Sequence, residues 1–301
     1  MAALVAALPR IIIDLLIFTL INGIRDGLEL EKWHYDGCIC LYSTIKCVTM
    51  QQINRVRLVT FDVTGTLLNY RIPPAEKYAQ VGAQFGLTVD PNVISASLKK
   101  QWRNMSSSHP NFGLSTGLGW ESWWKQLVNI TFQGSVTCNA LNVSILDTIG
   151  NHLIEVYKTR ECWQIAEGAE ELLKYLNSLG IPLGIVSNYD ERLETVLKVM
   201  EVHHYFRFIL TSYCAGFAKP DSRIFHMALD QLDNGRIKPH EALHVGDTPE
   251  IDYLGAVNAG WNAVLVHQDA KKVTEHYQYV DPKLVFENLS DFQSYMCMYK
   301  K

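Results

Sequence analysis

The sequence predicts an α/β fold, a doubly wound Rossmann-like parallel sheet interrupted by an inserted α-helical block. Three observations predict it. Short apolar runs recur along the chain, each ending in a polar residue: Leu58 to Asp62, Pro182 to Asn188, Phe208 to Ser212 and Ala242 to Asp247. From Glu167 onward these runs alternate with helical stretches across short connections, the rhythm of a parallel sheet. Between the first run and that alternation, Tyr70 to about Ile165 carries helical spacing throughout.

The elements follow in order. Leu58 to Phe61 is a run of strand formers, the pattern of a buried parallel strand. It stops at Asp62, and Gly65 between threonines breaks it. A carboxylate at the C-terminal end of such a strand faces the crevice where α/β sheets bind ligands. Pro74 to Phe85 is a helix stopped by Gly86. Pro91 to Met105 is a second, with Asp90 as its N-cap. Ser106 to Gly119 is a loop, and Trp120 to Phe132 and Val143 to Tyr157 are further helices. The glycines at 113, 117 and 119 follow no strand, so they do not form a dinucleotide loop. Gly168 to Leu179 is a helix and Ile181 to Val186 a strand. Asp190 to Met200 is a helix with Asp190 as cap, and Phe208 to Thr211 a strand. Asp221 to Leu232 is a helix, Leu243 to Val245 a strand and Asp252 to Ala259 a helix. Ala263 to Val266 is the final core strand, and residues after about Leu289 read as a tail.

Composition narrows the class. The chain has 301 residues, 48% hydrophobic and 19% charged, as in globular proteins. A net charge of -4 gives no reason to expect a nucleic-acid partner. Seven scattered cysteines form no disulfide framework, and Cys38-Ile-Cys40 lacks a second pair for zinc. A reducing compartment is expected: cytoplasmic, with the nucleus as the second choice. Residues 1–49 stand apart. Ala2 to Ile24 is strongly apolar but carries Pro9, Arg10 and Asp14, and a charge at mid-span opposes insertion. Three readings stay open for it: a membrane anchor, a docked amphipathic helix, or an extension foreign to the domain. A membrane partner is expected only if residues 2–24 act as an anchor.

Taken as a set, Asp62, Ser187-Asn188, Lys219-Pro220-Asp221 and Gly246-Asp247 with Asp252 resemble the four motifs of the haloacid dehalogenase superfamily, in order and at plausible spacing. The resemblance covers Arg57 to Val266. Asn111-Phe-Gly-Leu-Ser115, Trp123-Trp124, Ser187-Asn-Tyr-Asp190 and Arg192-Leu193 look like one animal subfamily of it. It implies a core of residues 50–69 and 166–290, a helical cap of residues 70–165, and a tail of 291–301. It implies a hydrolase acting on a small phosphorylated metabolite. Asp62 is then the nucleophile, forming an aspartyl-phosphate. Ser187 and Asn188 hold the oxygens of the transferring group, and Lys219 opposes its developing charge. Asp62, the Thr64 backbone carbonyl, Asp247 and Asp252 hold Mg²⁺, the hard oxygen set that ion takes.

One position departs from the pattern. Phosphatases of the superfamily place a second Asp, the general acid and base, where this chain has Thr64. A threonine hydroxyl does not titrate near neutral pH, and losing general acid–base catalysis costs roughly 10²–10⁴-fold. Thr64 therefore enters the catalytic set only as the occupant of that position. Slow turnover is one expectation. A non-catalytic phosphate-binding or regulatory protein is a second, and a carbon–halogen hydrolase a third, although Asp247 and Asp252 argue against the last. Trp120, Trp123 and Trp124 are expected in the core of the insertion. The sequence leaves substrate identity and oligomeric state open.

Overall fold

A computed structural model describes residues 55–135, 143–233 and 236–299. The expectations for residues 1–49 lie outside the described residues. Among those described, no helix is long and apolar enough to cross a membrane.

Six parallel strands build the main sheet: β1 (Leu58–Phe61), β4 (Leu183–Ser187), β5 (Phe206–Thr211), β6 (Ala242–Gly246), β7 (Asn262–Val266) and β8 (Val285–Phe286). Their spatial order is β5-β4-β1-β6-β7-β8. β1, β4, β6 and β7 are buried along their whole length. That burial explains why they read as apolar runs rather than alternating ones. β1 pairs with β4 on one side and β6 on the other. The chain winds outward from β1 in both directions, so the crevice of a topological switch point opens at the C-terminal ends of β1, β4 and β6. Those ends carry Asp62, Ser187 and Gly246-Asp247.

Among the described residues the insertion holds four helices: α1 (Pro74–Gln84), α2 (Pro91–Ser108), α3 (Trp120–Gln133) and α4 (Val143–Val156). Asp90 caps α2 by accepting from the Asn92 N–H at 2.8 Å. The helices bury Ile94, Leu127, Phe132 and Leu146 against one another and the core. At the base of the insertion an antiparallel ribbon, β2 (Leu68–Tyr70) with β3 (Trp163–Ile165), replaces the helix-only reading of this stretch. Tyr70 stacks on Trp163 there, with ring centroids 4.8 Å apart.

Three further corrections concern the second half. α5 (Ala169–Ser178) precedes β4, and α6 starts at Leu193, not Asp190. The Asp190 side chain turns instead to Arg192. After β7 come α10 (Ala270–His276), which the sequence reading passed over, and β8, so β7 is not the last strand. (In between, α7, Ser212–Ala215, and α8, Ser222–Asp233, follow β5, and α9, Leu254–Asn258, follows β6.) The expected tail over 291–301 is, through Tyr299, the helix α11 (Leu289–Tyr299). Leu289 and Phe292 are wholly buried and Met296 nearly so. Their helical spacing pins α11 to the core.

Candidate active site

Asp62 follows β1 directly, and its N–H donates to the Val245 carbonyl at 2.9 Å, which fixes it beside β6. The next residues turn tightly, with the N–H groups of Leu67 and Leu68 both donating to the Val63 carbonyl. Gly65 holds a φ of 83°, and a Cβ there would overlap the Asp247 carboxylate. The turn can approach Asp247 this closely only because position 65 has no side chain. Gly246 serves the same purpose on the other side, since a Cβ there would run into Asp252.

The fold brings Asp62, Asp247 and Asp252 together, with one oxygen from each within 4.8 Å of the others. Lys219 lies among them, its side chain 1% exposed. Its Nζ donates to Asp62 Oδ1 at 2.8 Å and to Asp252 Oδ1 at 2.6 Å. Asp252 Oδ2 accepts from the backbone N–H groups of Asp247 and Thr248 at 3.2 and 2.9 Å. Thr248 also donates its hydroxyl to Asp247 Oδ1. The short π-helical turn Pro249–Tyr253, just before α9, swings Asp252 back under β6 to make these bonds.

Charge is out of balance here. Three carboxylates face one ammonium. Burial, with Asp62 and Asp252 nearby, pushes the Asp247 carboxyl up to about 7. Burial and Asp252 likewise raise Asp62, although Lys219 pulls against them. For Asp252 burial alone would raise the carboxyl, but Lys219 and His244 outweigh it and hold it below the usual range. Burial would depress Lys219, yet Asp252 and Asp62 keep it charged and above its ordinary value.

Other predicted residues stand close by. Ser187, at the end of β4, stands beside Asp62 and helps to lower its carboxyl. Asn188 forms a reciprocal clamp on Lys219: its Nδ2 donates to the Lys219 carbonyl at 2.9 Å, and its Oδ1 accepts from the Lys219 N–H at 2.7 Å. Its amide thus acts on the site through Lys219. Thr64 is half-buried in the turn after Asp62 and pairs with Leu68. A cleft of about 490 Å³ reaches Asp247 from the side of Gly65, Thr66, Glu167 and Glu287.

Sequence reasoning missed two groups. The first is Thr60 and His244, cross-strand neighbours on β1 and β6, both wholly buried. A polar residue inside each of two apolar runs was the available signal. The second is the junction between the insertion and the loop after Ser187-Asn188. Asp190 is wholly buried and takes a two-point bond from Arg192 at 2.8 and 2.7 Å. Trp124 donates its indole N–H to Asp190 at 2.7 Å and Trp120 its own to Glu191 at 2.9 Å. The Arg192 guanidinium lies 4.8 Å from the Trp124 ring and 5.2 Å from Trp120. Asn111 donates to the Ser212 carbonyl at 2.7 Å. Trp123, by contrast, is buried inside the insertion, as expected.

Comparison with known proteins places this arrangement. The family described as haloacid dehalogenase-like hydrolase matches residues 56–260. The chain is 39% identical over 251 residues to "Rhythmically expressed gene 2 protein" of Drosophila melanogaster, covering 81% of this chain and 96% of that one. It is 37% identical over 212 residues to "Haloacid dehalogenase-like hydrolase domain-containing protein 3" of Bos taurus, covering 70% and 82%. Among solved structures, YfnB from Bacillus subtilis, bound to magnesium, superposes with a TM-score of 0.61 at 17% identity, covering 81% of this chain and 99% of that one. At that identity the likeness concerns the fold.

Proposed function

The chain belongs to the haloacid dehalogenase-like hydrolases, and from that premise we propose that it is a Mg²⁺-dependent hydrolase of a small phosphorylated metabolite, with Asp62 as nucleophile. The observation that carries the reading is the surplus of carboxylate at the switch point. Asp62, Asp247 and Asp252 surround one ammonium, and Asp247 is pushed up to about 7 by burial and its two neighbours. A buried cluster with that much negative charge is costly unless a cation joins it. An all-oxygen donor set suits Mg²⁺. A carbon–halogen hydrolase needs no metal, so a surplus of carboxylate around one ammonium is less expected of it.

The residues that would hold the ion are Asp62, Asp247 and the Thr64 carbonyl. Asp252 belongs to the set through its position behind Asp247. Its two oxygens already accept from Lys219 and two backbone N–H groups, and Oδ1 lies 3.2 Å from His244 Nε2. When bound, Mg²⁺ supplies Lewis-acid stabilisation of charge on the phosphoryl oxygens. The chain's own part is as follows. The free oxygen of Asp62 attacks phosphorus and forms an aspartyl-phosphate while the P–O bond to the leaving group breaks; water then hydrolyses the acyl phosphate. Lys219 stays charged beside Asp62 through both steps and opposes the charge developing on the phosphoryl oxygens. Ser187 stands beside Asp62 and is placed for one of those oxygens. Thr64 supplies no carboxyl to protonate the leaving oxygen, so substrates that leave without a proton, aryl and acyl phosphates, are favoured over alkyl phosphates. YfnB, which shares the fold, was solved with magnesium bound, and that supports the choice of ion.

The test is a screen of phosphorylated metabolites with Mg²⁺ and with chelator, run on wild type and Asp62→Asn. The proposal expects Mg²⁺-dependent release of phosphate that Asp62→Asn abolishes. Beryllium fluoride should form a complex at Asp62 in wild type alone. Absence of both turnover and adduct would leave a phosphate-binding protein as the better reading.

A further inference from the structure

His244 sits at the middle of a strand that is otherwise apolar, and no solvent reaches it. An imidazole is kept in such a place only if its nitrogens are partnered. Nδ1 lies 2.9 Å from the Thr60 hydroxyl, directly across the β1–β6 ladder. Nε2 lies 3.2 Å from Asp252 Oδ1 and 3.4 Å from Lys219 Nζ. The ring of Phe225 stands edge-on at 5.3 Å and closes the remaining side.

Two wirings satisfy the neutral imidazole. In one, Nδ1–H donates to Thr60, the Thr60 hydroxyl donates to the Leu243 carbonyl at 3.5 Å, and Nε2 accepts a proton from Lys219 at 3.4 Å. This wiring turns the Nε2 lone pair on a carboxylate oxygen 3.2 Å away, closer than its donor. In the other, Thr60 donates to Nδ1 and Nε2–H donates to Asp252 Oδ1. The two shortest contacts are then both hydrogen bonds, and no acceptor faces an acceptor. The second wiring also completes Asp252, which receives two donors on each oxygen.

The consequence falls on Lys219. Its ammonium has three protons. One goes to Asp62 and one to Asp252. In the first wiring the imidazole takes the third; in the second it does not. We infer that His244 is a positioning residue: as the Nε2–H tautomer selected by Thr60, it locks Asp252 and leaves the third Lys219 proton for an anion bound beside Asp62. This rests on the hydrolase reading for what the anion is, but not for the tautomer.

The experiment has two arms on the full-length chain. The first uses ¹⁵N-histidine protein and long-range ¹H–¹⁵N correlation spectra, with His244 assigned by its loss in His244→Gln. The expected spectrum shows an unprotonated Nδ1 and a protonated Nε2, and Thr60→Val should shift this toward a mixture. A protonated Nδ1 overturns the inference. The second arm measures binding of inorganic phosphate with Mg²⁺ present. His244→Gln keeps an amide donor and should bind within about threefold of wild type. His244→Leu has none and should bind about tenfold more weakly or worse, the size expected when a charged partner loses a hydrogen bond. Equal binding by wild type and a folded His244→Leu overturns the positioning role. If wild type binds no phosphate, the hydrolase reading falls, and the tautomer spectrum decides the inference alone.

Discussion

Lys219→Met probes the electrostatics of the site, because methionine keeps most of the side chain's length while removing the ammonium with its charge and its two hydrogen bonds. The side chains of Lys219, Asp62 and Asp252 are 1%, 12% and 2% exposed, and the two ion pairs are 2.8 and 2.6 Å long. Water cannot replace the lost ammonium. Removing one partner of a buried pair costs about 3–5 kcal/mol, because the other charge stays behind uncompensated. For a domain of this size that is a fall in Tm of roughly 6–20 °C. The loss should depend on pH, with a definite sign. In wild type the Asp252 carboxyl is held low, so its contribution is present above the unfolded pKa and fades as pH falls. In Lys219→Met the Asp252 carboxyl should rise too and Asp62 should rise further, since Lys219 lowers both in wild type, and raised carboxyls lose stability as pH rises through their folded values. The gap between the proteins should therefore widen from about pH 4 to pH 7. Urea unfolding at several pH values, with unchanged m-values, measures it. A loss below about 1 kcal/mol, or one independent of pH, would refute the view that Lys219 neutralises the cluster.

Three more expectations follow from the same geometry. Asp247→Asn should stabilise the metal-free protein by the order of 1–3 kcal/mol at pH 8, since the carboxyl it replaces titrates near 7 in the fold against 3.8 unfolded and loses stability as pH rises between those values; the same variant should show a smaller Mg²⁺-dependent rise in Tm, and an undiminished rise would remove Asp247 from the metal set. Trp124→Phe keeps an aromatic ring near Arg192 but deletes the donor to Asp190, for a loss of about 1.5–3 kcal/mol by urea unfolding; no change would mean that water takes the indole's place. Thr64→Asp restores a carboxyl beside the nucleophile and should speed an alkyl phosphate by up to about 10²–10⁴-fold, and an aryl phosphate less; if neither speeds up in a folded variant that binds Mg²⁺, proton transfer is not what limits the reaction.

What was legible in the sequence was whatever local pattern dictates. The sheet's central strands are buried on both faces, so each appeared as an unbroken apolar run, and the polar residue ending each run marked the crevice. Helices of the insertion showed themselves through spacing, proline starts and glycine stops. The ribbon at the base of the insertion did not. Its strands are three residues each and their pairing spans more than ninety positions, which no local window contains. α11 was missed because Leu289, Phe292 and Met296 leave only a sparse apolar stripe, and the decisive fact, the core surface it covers, lies elsewhere in the chain. Asp190 was read as a helix cap because an acidic residue ahead of an apolar stretch commonly is one. Its true partners, Arg192 and Trp124, are set by tertiary contact. His244 carried a readable signal, a polar residue inside an apolar run, but its partners Thr60, Lys219 and Asp252 are joined only by the register of β1 against β6 and by the turn after Gly246.

The cluster makes little sense as a device for stability. Asp252 is saturated and well placed: it fixes the turn after β6 and anchors Lys219. Asp62 shares the remaining charge of Lys219. Among the described residues no cation pairs with Asp247 and only the Thr248 side chain donates to it, and burial with the other two carboxylates drives it up toward neutrality. An apolar or amide side chain at 247 would serve folding better. The turn is nevertheless shaped around this carboxylate, since Gly65 gives up a side chain to let the backbone pass it. A residue that opposes the fold, in a place the fold has made room for, points to a requirement outside the fold. At the switch point of a parallel sheet, beside the proposed nucleophile Asp62, the cation of the hydrolase reading would meet that requirement, and the surplus carboxylate charge would supply the affinity for it.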